Sequence, residues 1–328
     1  MVNCLVAFLV AFLLSCLLGK VMIPLLKKLK VGQTILVYVK EHEGKNGTPT
    51  MGGLFFVFAI IFTFFSFGGL KSHIARVCIV IMGAFMFVGF LDDFIKVRSK
   101  KNEGLKPYQK IIFQISIGLI AGVFAYKYGI DFIYVPFFNN SFSLGLFTIP
   151  VLAIIFIAIT NSVNLTDGID GLSGSVSLIY LLSTFFLVIV QSTIFGSSYY
   201  FVNDYDQILL LLTTSVGALL GFLVYNVNKA KVFMGDTGAL ALGGLIGSIS
   251  IFTANTLAIP FLGITFVVSS LSVIIQVIYF KFTKKRVFLM APFHHHLQHK
   301  GLTENKIVYI YVLTTVIFAV VYIIGYLI

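Results

Sequence analysis

The sequence predicts an all-α polytopic membrane protein with about ten transmembrane helices, and three observations carry that prediction. Of 328 residues, 59% are hydrophobic and 11% charged, with a mean hydropathy of +1.02. A soluble domain carries about a quarter charged residues. The apolar residues gather into long uncharged runs separated by charged segments. Ten spans of about 20 residues would use roughly 200 residues, which is close to the apolar content. Runs of this length do not suit a membrane barrel. Disorder, collagen and a disulfide scaffold are excluded by 35 Phe, the lack of a glycine period and only three Cys. Cys4, Cys16 and Cys78 lie in apolar stretches and read as small buried hydrophobes.

The first run, 4–26, is preceded by no Lys or Arg, and Lys20 comes near its end. It therefore reads as a span and not as a secretory leader. Further spans are expected at 51–70, 74–91, 111–126, 142–163, 173–195, 207–226 and 307–328. The stretch 238–280 holds 43 residues without a charge, too many for one helix. Asn255 and Pro260 mark a turn that divides it into two. The segment 131–145, with Asn139-Asn140 and alternating Phe and Ser, reads as a short external hairpin. No internal repeat or low-complexity tract interrupts the chain, so 1–328 reads as a single integral-membrane domain.

Basic loop residues set the orientation. The segments 27–50, 92–110, 161–172, 226–237 and 281–306 fall on one side of a ten-helix chain and hold 19 of the 23 Lys and Arg. That side is expected in the cytoplasm, with both termini outside. The net charge of +11 is thus a cytoplasmic-face feature, suited to anionic headgroups or a phosphate-bearing substrate. No nucleic-acid fold accompanies it, so a nucleic-acid partner is not expected.

The chemically interesting residues fall on the same face. Lys45-Asn46-Gly47-Thr48-Pro49-Thr50-Met51-Gly52-Gly53 is either a turn and helix start or a place where backbone amides approach a substrate, with Lys45 as a point charge. Asp92-Asp93 closes an apolar run and is followed by Lys96, Arg98, Lys100 and Lys101. Adjacent carboxylates at a membrane boundary repel one another, so lysines, a bound Mg²⁺ or a proton must balance them. Asn161 to Leu172 holds Asn161, Asn164, Asp167, Asp170 and two glycines, more polar groups than helix capping needs. In Asn226 to Gly238, Asp236 stands between glycines at a helix start, where it caps the helix or holds Mg²⁺ beside a phosphate. Phe233 offers a stacking face, or ordinary packing. Pro292-Phe293-His294-His295-His296-Leu297-Gln298-His299 has no Cys nearby and no second His pair at helical ligand spacing for a zinc site, and its imidazoles suit hydrogen bonds to phosphate.

Together these motifs resemble the polyprenyl-phosphate N-acetylhexosamine-1-phosphate transferase superfamily over essentially the whole chain. Gly47 to Gly53, Asn164 to Leu172 and Val232 to Gly238 match its pattern, and Met290 to His296 resembles the phospho-N-acetylmuramoyl-pentapeptide transferase branch. Gln298 and Leu302 depart from that pattern, which usually has an acidic residue and Trp there. The resemblance implies Mg²⁺-dependent transfer of phospho-MurNAc-pentapeptide from its UDP conjugate to undecaprenyl phosphate, giving lipid I and UMP. It also implies a bacterial cytoplasmic membrane and a homodimer. It assigns Asp236 as the main Mg²⁺ ligand and Asp92 as the base, with Asp93 beside it. Asp170, Asn226, Phe233 and Lys45 become a uridine pocket, with Thr50 close to the substrate. Asn164 and Asp167 support the sugar–phosphate side. His294, His295 and His296 contact diphosphate or sugar, His294 foremost, while Lys96 and Lys100 neutralise phosphate. The rival within the superfamily uses UDP-GlcNAc. A secondary transporter is the rival from another class, though transporters place ionisable groups near the midplane of paired repeats.

Overall fold

The computed structural model describes residues 2–28, 47–99, 103–196 and 203–328. In chain order these form α1 (Val2–Lys28), α2 (Gly53–Ser66), α3 (His73–Ser99), α4 (Pro107–Lys127), β1 (Phe132–Val135), β2 (Asn140–Ser143), α5 (Thr148–Thr166) and α6 (Leu172–Phe195). Then follow α7 (Tyr205–Asn226), α8 (Gly235–Phe252), α9 (Ala258–Leu262), α10 (Ile264–Thr283), α11 (Phe293–His299) and α12 (Glu304–Ile324). Among the described residues, nine helices are long and apolar enough to cross a membrane: all but α2, α9 and α11.

The run 51–70, expected as a tenth full span, is a helix of only 14 residues. At 1.5 Å per residue it reaches about 21 Å, short of a hydrocarbon core of about 30 Å. Its N-terminal end is taken up by pairing with a distant segment. The Gly52 N–H donates to Phe233 O at 2.9 Å and the Gly53 N–H to Met234 O at 3.0 Å. Its other end stops in a turn at Gly68, whose φ of +89° is left-handed.

The stretch 238–280 divides where the sequence indicates. α8 ends at Phe252, and Asn255 holds the turn by donating to Gln191 Oε1 at 2.9 Å and accepting from Tyr326 Oη at 2.6 Å. Pro260 lies in the first turn of α9, where a missing N–H costs nothing. The hairpin also forms, with Phe132 opposite Ser143 and Val135 opposite Asn140. It joins the end of α4 to the start of α5, and its Tyr134 ring lies 5.4 Å from that of Tyr326.

α8 is the axis of the bundle. Every residue in it is buried except Asp236, which is partly so. α3, α5, α2 and α6 enclose it. Helices in lipid gain nothing from hiding apolar area from one another, so close approach depends on small side chains. α8 supplies them: Gly243 lies on Thr160 of α5, and Gly238 lies against the backbone of Gly53 of α2. Conversely, α1 turns Leu5, Leu9, Leu13 and Leu17 outward at helical spacing and buries Ala7, Ala11, Ser15 and Gly19 against α7. Cys4 and Cys78 are buried as free thiols, and Cys16 is partly buried.

Candidate active site

Two helix ends bring the carboxylates together. α3 carries Asp92 and Asp93 near its C-terminal end, and α8 carries Asp236 in its first turn. The helices meet closely because Gly89, one turn before Asp93, lies against the Asp236 carbonyl, where a Cβ would collide. Gly235 allows the sharp entry to α8: its φ is +72°, and a Cβ there would sit 2.5 Å from Asp93 Oδ2 and 2.6 Å from Thr50 Oγ1. One oxygen from each of Asp92, Asp93 and Asp236 then lies within 4.8 Å of the others.

Among the described residues, two lysines answer the three carboxylates. Lys96 Nζ is 2.5 Å from Asp92 Oδ2, 2.9 Å from Asp236 Oδ2 and 4.0 Å from Asp93 Oδ1. Lys110 Nζ, from the first turn of α4, is 3.0 Å from Asp236 Oδ2. The remaining Asp236 oxygen accepts from Asn164 Nδ2 at 2.5 Å. Formally, two ammonium groups against three carboxylates leave one negative charge among these described groups, which a hard divalent cation would offset. The residues fit such an ion: three carboxylate oxygens converge, and Asp236 stands partly exposed at a helix N-terminus.

The two adjacent aspartates differ in surroundings. Asp93 is fully buried, and its Oδ2 accepts from both the Thr237 N–H at 2.9 Å and the Thr237 hydroxyl at 2.7 Å. Asp92 instead accepts the Leu105 N–H at Oδ1, 2.8 Å away, and gives Oδ2 to Lys96. Beside them, in the loop after α5, desolvation and then the charges of Asp236, Asp93 and Asp170 push Asp167 well above the usual carboxylate range.

The neighbouring loops are tied to one another. Asp170 Oδ2 accepts from the Ala230 N–H at 2.9 Å. Asn226 Oδ1 accepts from the Gly171 N–H at 3.1 Å, while its Nδ2 donates to Val232 O at 2.9 Å. The Phe233 N–H donates to Pro49 O at 2.8 Å, so the segments carrying Thr50 and Phe233 pair directly. The Thr50 side chain is buried beside Gly235, and the Phe233 ring stays partly exposed.

α11 brings in the histidines. His294 is buried over Gly168, with its ring 4.3 Å from that of His295. His295 Nδ1 lies 2.6 Å from Gln298 Oε1, so an amide oxygen is the partner of this imidazole. His296 serves the preceding loop, its Nδ1 accepting from the Leu289 N–H at 3.1 Å. Desolvation, with Lys300 and His299 near, holds that imidazole below its usual range. Lys45 and Lys100 lie outside the described residues.

Of the residues expected from sequence, Asp92, Asp93, Asp236, Lys96 and Asn164 are in mutual contact, and Thr50 and Asp167 adjoin them. Lys110, Thr237 and Leu105 belong to the cluster and were not expected. Nothing in the sequence separates Lys110 from Lys101 or Lys106; its place comes from Pro107 starting α4 three residues earlier.

Comparison with known proteins bears on this geometry. Residues 74–254 match the family model described as glycosyl transferase family 4, and residues 45–57 match phospho-N-acetylmuramoyl-pentapeptide-transferase signature 1. A phospho-N-acetylmuramoyl-pentapeptide-transferase of Clostridioides difficile (strain 630) is 41% identical over 318 residues, covering 95% of this chain and 94% of that protein. The proteins of the same name from Clostridium perfringens (strain SM101) and Clostridium novyi (strain NT) are 43% and 42% identical, each over 95% of this chain and at least 93% of their own length.

Proposed function

The chain belongs to the phospho-N-acetylmuramoyl-pentapeptide-transferases of glycosyl transferase family 4, and on that premise we propose that it transfers phospho-MurNAc-pentapeptide from UDP to undecaprenyl phosphate, giving lipid I and UMP. It is a phosphoglycosyl transferase of peptidoglycan synthesis and a multi-pass membrane protein. The observation that carries the mechanism is the cluster of three carboxylates and two lysines where α3, α4 and α8 meet.

A lipid phosphate oxygen attacks the sugar-bearing phosphorus of the diphosphate. The bond from that phosphorus to the bridging oxygen breaks, and UMP leaves with the bond's electron pair. Such a transfer needs positioning and charge neutralisation more than covalent help. Asp236 would hold Mg²⁺, which supplies charge neutralisation at the diphosphate when bound. Asp92 orients the attacking phosphate and takes its proton; the second pKa of a phosphate monoester is about 6, so a weak base suffices. Asp93, buried and held twice by Thr237, fixes the field beside Asp92. Lys96 and Lys110 sit within reach of the same oxygens and stabilise charge on the diphosphate, with Lys100 as a third cation.

Asp170, Asn226, Phe233 and Lys45 form the uridine pocket, with Phe233 stacking on the base. Asn164 and Asp167 support the sugar–phosphate side, and Thr50, His294, His295 and His296 complete it. The site faces the cytoplasm; both termini lie outside, with α2 serving as a short tenth crossing beside the nine long helices; and residues 1–328 act as one domain in the bacterial cytoplasmic membrane, paired as a homodimer. The supporting observation for the orientation is that 19 of 23 basic residues lie in the five sequence segments that also carry Thr50, Asp92, Asn164, Asp236 and His294.

The test is UMP release by purified protein with undecaprenyl phosphate and Mg²⁺, comparing UDP-MurNAc-pentapeptide with UDP-GlcNAc. Activity with the first alone is expected. Activity with UDP-GlcNAc alone would overturn the substrate assignment and leave the site chemistry standing.

A further inference from the structure

In the turn between α3 and α4, the described residues Gly104 and Leu105 both meet the Asp92 carboxylate closely. The Leu105 N–H donates to Asp92 Oδ1 at 2.8 Å. Immediately before it, Gly104 lies flat against the same carboxylate. A Cβ added to Gly104 would stand 2.5 Å from Asp92 Oδ1, 2.7 Å from its Cγ and 2.8 Å from Oδ2. Real Cβ atoms do not approach so closely, and the obstacle here is a short side chain fixed at both oxygens. This glycine is needed for space.

The turn is itself anchored. The Leu105 side chain packs on the core. Lys106 caps α4, its N–H donating to Gln109 Oε1 at 3.0 Å, and Pro107 sets the first turn. One turn of that helix further on, Lys110 reaches Asp236. The segment from Gly104 to Lys110 thus fixes an oxygen of Asp92 and a cation on Asp236 as one rigid piece.

We propose that the Gly104–Leu105 backbone is the positioning element for Asp92, clamping Oδ1 with the Leu105 N–H so that Oδ2, paired with Lys96, is the oxygen presented to the acceptor phosphate. Neither residue touches substrate in this account; both act through Asp92. The proposal rests on the transferase reading above for its kinetic consequence and on the contact alone for its structural one.

The test is a double-mutant cycle of Gly104→Ala and Asp92→Ala, read by two measurements on the full-length protein in detergent or nanodiscs. The first is kinetic. Gly104→Ala is expected to lower kcat about a hundredfold, the cost of misplacing a reacting group by about an ångström, while KM for UDP-MurNAc-pentapeptide stays within threefold. The second is thermal. Gly104→Ala should lower Tm in the wild-type background and leave it unchanged in Asp92→Ala, where the obstructing carboxylate is gone. If Gly104→Ala does not fold, recovery of folded protein in the double variant supports the proposal. Equal loss of Tm in both backgrounds would overturn it, because the glycine would then serve the turn itself. Unaltered kcat in a folded Gly104→Ala variant would also overturn it. A wild-type protein that releases no UMP would sink the transferase reading, and the thermal cycle would still decide the contact.

Discussion

At the scale of single residues, the site distributes charge unevenly among similar side chains. Asp92, Asp93 and Asp236 share two lysines among the described residues, whereas Asp167 is pushed up by desolvation and by the charges of Asp236, Asp93 and Asp170. A carboxyl raised in the folded state favours folding when protonated. Its contribution is fully present below the unfolded carboxylate pKa of about 3.9 and is lost as pH rises through the folded value. Asp167→Asn keeps the shape and cannot ionise. The variant's Tm is expected to match wild type in acid and to exceed it toward neutral and alkaline pH, measured by thermal unfolding across a pH series. Coincident curves would show that Asp167 does not titrate with folding. Asp92, Asp93, Asn164 and Asp236 were legible as residues because acidic and amide groups at the ends of apolar runs are costly there without a task. Lys110 and Leu105 were not. A lysine in a basic loop looks like its neighbours, and a backbone N–H has no residue identity to read.

Elements are set by where the chain can tolerate backbone contact. Hydropathy located every long helix, and Asn255 with Pro260 gave the division of 238–280, since both signals are local. The exception is α2. Residues at its start read as apolar helix, yet Gly52 and Gly53 spend their N–H groups on Phe233 and Met234, some 180 residues away in the chain. No periodicity reports such a pairing. Its purpose is visible in the packing: Gly53 lies on Gly238 so closely that a Cβ would overlap backbone. Gly53→Ala should therefore destabilise the protein by about 1–3 kcal/mol, the usual cost of overpacking. The measurement is thermal or denaturant unfolding in detergent. A loss below a few tenths of a kcal/mol would mean that α2 and α8 can separate freely.

For the molecule as a whole, the design is a bundle whose buried axis, α8, ends in its one partly exposed residue, Asp236. Every other site element is brought to that end. α3 supplies the carboxylate pair, α4 the second lysine, the loop after α5 its polar run, and α11 the histidines over Gly168. The opposite end carries the hairpin and the Asn255 turn. A sequence can show that polar clusters share a side; it cannot show that five loops meet within a few ångströms. The whole arrangement turns on the proposal that Asp236 anchors the metal-dependent transfer. Its most direct test is UMP release by wild type and Asp236→Asn, each with Mg²⁺, after chelation and after Mg²⁺ is restored, alongside Tm. The account predicts that wild type loses turnover on chelation and regains it, while Asp236→Asn is folded and inactive throughout. Near-normal Mg²⁺-dependent turnover in Asp236→Asn would contradict it.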